Sequence, residues 1–86
     1  MTKLINVHNF HSNKQNKDYS VIQVLRDITQ RERDNGYIGD VILEEIFLPD
    51  NLVNVLGLSD INQELDLQYS VIGGKAILDN IVVLKK

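Results

Sequence analysis

The chain has no cysteine and no tryptophan, and only one proline in 86 residues. Without cysteine, neither a disulfide nor a thiolate metal site can stabilise it. A domain this short buries only roughly 60% of the surface its unfolded chain exposes. It must therefore build a hydrophobic core or share one with a partner. Aromatic residues are also few: Phe10, Tyr19, Tyr37, Phe47 and Tyr69. No apolar run approaches the roughly 20 residues of a membrane span. Met1 to Ser12 alternates polar and apolar residues and has no signal-peptide core, so a soluble, cytoplasmic protein without membrane contact is expected.

The charge is small and unevenly spread. The net formal charge is -3. Residues 1–33 carry six bases (Lys3, Lys14, Lys17, Arg26, Arg31, Arg33) against Asp18, Asp27 and Glu32. Residues 34–74 carry eight acids and no base, and from Lys75 onward three lysines face Asp79. This asymmetry separates a basic region from an acidic one. A solvated acidic edge in a short chain would look the same.

What is abundant is Ile, Leu and Val, in segments of period two. In Lys3 to Phe10, Ile5 and Val7 fall on one side and Leu4, His8 and Phe10 on the other, which reads as a strand. A polar loop, Ser12 to Asp18, follows. From Tyr19 two readings compete. The run to Ile28 is β-branched and aromatic, as strands are. Yet Ser20 with Gln23 resembles a capping box, and Val21, Val24, Leu25 and Ile28 lie at helical spacing. Asn35-Gly36 then closes a helix or turns a hairpin. The strand is preferred because another follows at once. In Tyr37 to Leu48, Val41, Leu43 and Phe47 alternate with Ile42, Ile46 and Leu48.

Pro49 ends that strand. Asp50 can cap a short helix with Leu52, Val53, Val55 and Leu56 on its apolar side and Gly57 closing it. Leu65 to Ile72 and Ala76 to Leu84 form a hairpin around Gly73-Gly74, with Leu67, Tyr69 and Val71 on one face of the first strand and Ile77, Ile81 and Val83 on one face of the second. The chain is thus expected to be a single mainly-β domain over 1–86. Its layout is a small five-stranded OB-type barrel with one short helix between strands 3 and 4. An SH3-like barrel, or an α+β layer with a helix at 20–34, gives a similar pattern.

Three stretches carry a resemblance to a known family. They are Lys17-Asp18-Tyr19-Ser20, opening a strand after a polar loop; Gly36-Tyr37, leading a strand to Glu45-Ile46-Phe47; and Tyr69 to Leu84, a terminal hairpin with a small residue after Lys75. Together they resemble the small single-stranded-DNA-binding proteins of filamentous phages and mobile elements, the gene V type. The likeness spans most of the chain, and the length matches. It implies a homodimer that coats a strand during replication or transfer, with stacking aromatics and basic residues, some on a protruding hairpin wing. The chain departs from that pattern in being acidic overall and poor in aromatics.

A single-strand binder needs cations for the backbone and ring faces for the bases. Thr29 to Asp34 is polar on both faces, so it is expected to extend as a ribbon past the barrel, with Arg31, Arg33 and Tyr37 as the wing. A solvated hairpin tip is the plain alternative. Lys14 and Lys17 beside Tyr19, and Lys75 at the glycine turn, complete the expected nucleic-acid-binding set. Phe10 is read first as core, with stacking as its alternative, and Phe47 and Tyr69 as core.

Other chemistry finds little support. His8 and His11 are three apart on a strand and point to opposite faces, which does not favour a metal. Glu44 and Glu45 are split in the same way and cannot act on one bond. No nucleophile elbow or phosphate loop is present. Neither an enzyme nor a cofactor is expected. Two further readings stay open. One is a phage or mobile-element accessory factor that uses the acidic 34–74 region against a basic protein partner. The other is an assembly protein that pairs strand edges between subunits.

Overall fold

The computed structural model describes residues 1–84. Strand β1 (Thr2–Ser12) turns at Asn13 to Asn16 into β2 (Lys17–Asp27), and Asn16 takes the left-handed conformation the tight connection needs, with φ 49°. A five-residue helix α1 (Gln30–Asp34) leads to β3 (Val41–Phe47). Two 3-10 turns, Asp50–Leu52 and Leu58–Asp60, connect β3 to β4 (Glu64–Ile72), which pairs with β5 (Lys75–Leu84).

All ladders are antiparallel, in the order β3-β2-β1-β4-β5. The sheet is open: no ladder joins β3 to β5 among the described residues. The short helix lies between β2 and β3, and only 3-10 turns fill the connection between β3 and β4, which corrects the expected position. Leu52 in the first turn and Leu56 between the two are buried as expected, but Val55 is half exposed and Asp50 does not cap its own turn.

The competition over 20–34 resolves into both elements in succession. Through Asp27 the β-branched residues form a strand. Then Thr29 and Glu32 form a reciprocal capping box that starts α1. At its other end the N–H of Tyr37 bonds Glu32 O and that of Gly36 bonds Arg33 O, with Gly36 at φ 98°. This is a Schellman ending, and it takes up the Asn35-Gly36 signal that could have served a hairpin. The expected ribbon over 29–34 is therefore a capped helix.

Leu4, Ile22, Val24, Leu48, Leu52, Leu56, Leu65, Leu78 and Ile81 form one buried cluster. It draws on the inner face of β1-β2-β3, the 3-10 turns and one face of β4-β5, so the sheet folds over on itself. Its hinge is narrow: β1 and β4 share only the register pair Lys3–Glu64, with Leu4 bonded through its N–H to Gln63 O and through its carbonyl to the N–H of Asn62.

Two bulges set which residues point inward. In β1 the register shifts between Leu4 and Asn6, leaving Ile5 as the extra residue. Leu4 and Val7 consequently share the inner face, whereas uninterrupted alternation separates them. In β5 the shift falls at Asp79, so Leu78 joins Ile81 and Val83 inside while Ile77 turns out. Ser20 is the buried polar residue of the centre, 1% exposed. Its hydroxyl donates to Asn9 Oδ1 at 2.5 Å and accepts the backbone N–H of Asn54 at 3.0 Å.

Candidate nucleic-acid interface

Side chains directly opposite each other on antiparallel strands share a face. On β2, Lys17, Tyr19, Val21, Gln23 and Leu25 therefore lie on the face away from the core cluster, because Ile22 and Val24 point into it, and Val21 at the middle of that outer face is itself buried. Their cross-strand neighbours on that outer face are Phe10 (opposite Tyr19) and His8 (opposite Val21) on β1, and Phe47 (opposite Val21) and Leu43 (opposite Leu25) on β3. A strip of rings results where the meander has no covering layer.

The rings are in contact. Phe10 and Tyr19 stack with centroids 5.6 Å apart and planes 23° from parallel, and His8 lies 4.8 Å from Phe10. Phe10, Tyr19 and Phe47, with Ser12 and Gln15, line a shallow depression of 340 Å³. Phe10 is 36% and Phe47 67% exposed. The reading of Phe47 as core is thus overturned. It follows the alternation of β3 faithfully, but on the face that nothing covers. Tyr69, 53% exposed, lies on the inner side of β4 towards the end of the β4-β5 hairpin, beyond the reach of the core cluster. The core reading of Phe10 gives way to its alternative position, a ring presented to solvent.

Cations border the strip at one end. The Lys17 ammonium lies 5.5 Å from the centroid of the Tyr19 ring and is held by Asp50, with Nζ 2.7 Å from Oδ1 and 2.8 Å from Oδ2. That carboxylate raises the Lys17 ammonium above the ordinary lysine range, chiefly by hydrogen bonding. Tyr19 donates its hydroxyl proton to Gln15 Oε1, which fixes the ring against the hairpin turn. Lys14, in the same turn, is exposed and has no carboxylate partner among the described residues.

Of the residues expected from sequence, Lys14, Lys17 and Tyr19 therefore meet in one hairpin. Arg31, Arg33 and Tyr37 do not join them. They belong to α1 and the loop after it, at the opposite end of β2. Ten residue steps separate Lys17 from Asp27, about 33 Å along an extended strand. Lys75 is exposed at the glycine turn of β4-β5, on a separate hairpin. Phe47 and His8 join the strip without having been assigned to it, and Phe10 joins it by its alternative reading. The available signal was that β1, β2 and β3 carry apolar or aromatic residues on both faces, more than a single inner face requires.

His8 and His11 do point to opposite faces, and Glu44 and Glu45 do too. His11 Nδ1 lies 2.7 Å from Asp18 on the inner side, away from the rings. Within the acidic stretch, Glu44 pairs with Arg26 and Asp50 with Lys17. A larger hollow of 430 Å³ beside the β1 bulge, with Ile5, Val7, Leu58 and Ile61 among its walls, is lined by no ring and no charged side chain among the described residues. No helix among the described residues is long and apolar enough to cross a membrane. The chain matches no protein-family model, no curated protein and no solved structure.

Proposed function

We propose that this protein binds single-stranded nucleic acid, with little base preference, on the outer face of β1-β2-β3. The observation that carries the reading is the stack of Phe10 on Tyr19 beside Phe47, open to solvent and bordered by Lys17. Each base stacked on such a ring contributes about 1–3 kcal/mol, and every base has a face to offer. Charge contributes less. Lys14 and Lys17, both in the hairpin at the end of the strip, correspond to a log–log salt slope of at most about -1.4 on a single strand, reached when Lys17 is free of Asp50. Stacking is therefore the larger part of the affinity, which accords with a net charge of -3.

The fold supports a companion proposal. Joining the free edges of β3 and β5 would close the order β3-β2-β1-β4-β5 into a ring of five, the arrangement of a partly open OB barrel. With it goes the likeness to the gene V type of protein and its expectation of a homodimer acting in the replication or transfer of a phage or mobile element.

The test is fluorescence anisotropy of labelled oligo-dT and oligo-U at low and moderate salt, with a duplex control. Single strands should bind in preference to duplex. Phe10→Ala, Tyr19→Ala and Phe47→Ala should each weaken binding by about fivefold to 150-fold. Arg31→Ala with Arg33→Ala should change affinity far less. Absence of binding at low salt, or equal binding of the duplex, rules the proposal out.

A further inference from the structure

Asp50 is the first residue of its 3-10 turn, yet its carboxylate makes no bond to that turn. It reaches instead to a side chain 33 residues earlier, setting both oxygens on the Lys17 ammonium at 2.7 and 2.8 Å. A carboxylate held this way offers the ammonium a pair of anionic oxygens, as the two non-bridging oxygens of a phosphodiester would. Lys17 is also the cation beside the Tyr19 ring. A base stacked on that ring would bring its own phosphate towards the ammonium that Asp50 occupies.

The contact is built to be exchanged. Both side chains are open to water, Lys17 at 45% and Asp50 at 72% exposure. Exposed pairs of this kind are weak and screened by salt. The turn does not depend on it either. Leu52 is buried in the core, and Asn51 Nδ2 bonds Asp79 O at 3.3 Å across to β5. The carboxylate can leave Lys17 while the segment that carries it stays in place.

We infer that Asp50 is an internal competitor for a phosphate-binding position on Lys17, so that a nucleic-acid strand seats a phosphodiester there by displacing the Asp50 carboxylate. The inference rests on the proposed binding of single strands. No covalent step is involved. One ion pair within the protein is exchanged for one between protein and ligand, and Asp50 returns to solvent.

The experiment is a double-mutant cycle read by oligo-dT anisotropy on the wild type, Asp50→Asn, Lys17→Gln and the double variant. Asp50→Asn should tighten binding about two- to fivefold, the range set by release of an exposed pair. It should also steepen the log–log salt slope by up to about 0.7, as Lys17 becomes free to neutralise one phosphate. In the Lys17→Gln background the same substitution should give no gain. Asp50→Ala serves as a second variant, and thermal melts establish that each protein is folded. Wild-type binding with no gain in Asp50→Asn and Asp50→Ala overturns the competitor and leaves the binding proposal standing. An equal gain with and without Lys17 also overturns it, because removal of a negative charge then acts generally. If neither the wild type nor Asp50→Asn binds at low salt, the binding proposal and the competitor fall together.

Discussion

Arg26 holds Glu32 through two parallel bonds, Nη1 to Oε1 at 2.8 Å and Nη2 to Oε2 at 2.9 Å. Its Nε also donates to Glu44 at 2.5 Å. One guanidinium thus fastens α1 to two strands at once. The helix needs this. Five residues are too few to be stable as an isolated helix, and none of them is buried. A bidentate, charge-assisted pair supplies the fixed geometry that apolar packing does not.

The same pair gives stability a pH dependence. The Arg26 guanidinium, followed by the Thr29 N–H, holds the Glu32 carboxyl at about 2 against its ordinary 4.5. A carboxyl whose folded pKa is depressed stabilises fully above its unfolded value and loses that contribution as the folded pKa is passed. The contribution should therefore be present above about pH 4.5 and decline as pH falls to about 2. Urea midpoints of the wild type and Glu32→Gln, measured from pH 7 to 2, should converge over that window. Parallel curves would show that the pair does not form in solution.

Ser20→Ala should cost about 1–3 kcal/mol despite the removal of a single oxygen. The Asn54 N–H would lose its acceptor and Asn9 its donor, both at a residue 1% exposed. Chemical denaturation measures this directly, and a loss below about 0.5 kcal/mol would place the hydroxyl in the ordinary surface class.

Ile22 and Phe47 offer a contrast between the two faces. Ile22 is fully buried in the core cluster. Ile22→Val should cost about 0.5–1.5 kcal/mol and Ile22→Ala about 2–5. Phe47→Ala removes a larger side chain, yet stability should stay within about 0.5 kcal/mol, because the ring is 67% exposed at the sheet edge. A core-sized loss at Phe47 would mean that something covers the outer face.

The strands were legible because period two survives in β3 and β4, where the two alternating sets fall on opposite faces, although the set that holds Phe47 lies on the outer face and not in the core. The period fails at Ile5 and Asp79, where a single bulge residue reverses the phase of everything after it. No residue type marks those bulges. The helix was missed because Ser20-x-x-Gln23 and Thr29-x-x-Glu32 both have the spacing of a capping box, and β2 runs through the first. The outcome turned on Arg26, whose partners Glu32 and Glu44 come together only in the folded chain. The cation positions Lys14 and Lys17 could be read locally, since they flank one turn. The ring strip could not, because Phe47 reaches it only through the β2-β3 register.

The narrow join between β1 and β4 bears on how the molecule assembles. Each of the other ladders connects strands that are neighbours in the chain, so each can zip from its own connection. Local pairings of this kind favour quick folding for a β protein, since little loop entropy is lost before contacts repay it. The meander and the terminal hairpin are then expected to form early, with the step from Lys3 to Glu64 closing last. Weakening that join should hasten unfolding and leave the refolding rate nearly unchanged, as for contacts absent from the transition state.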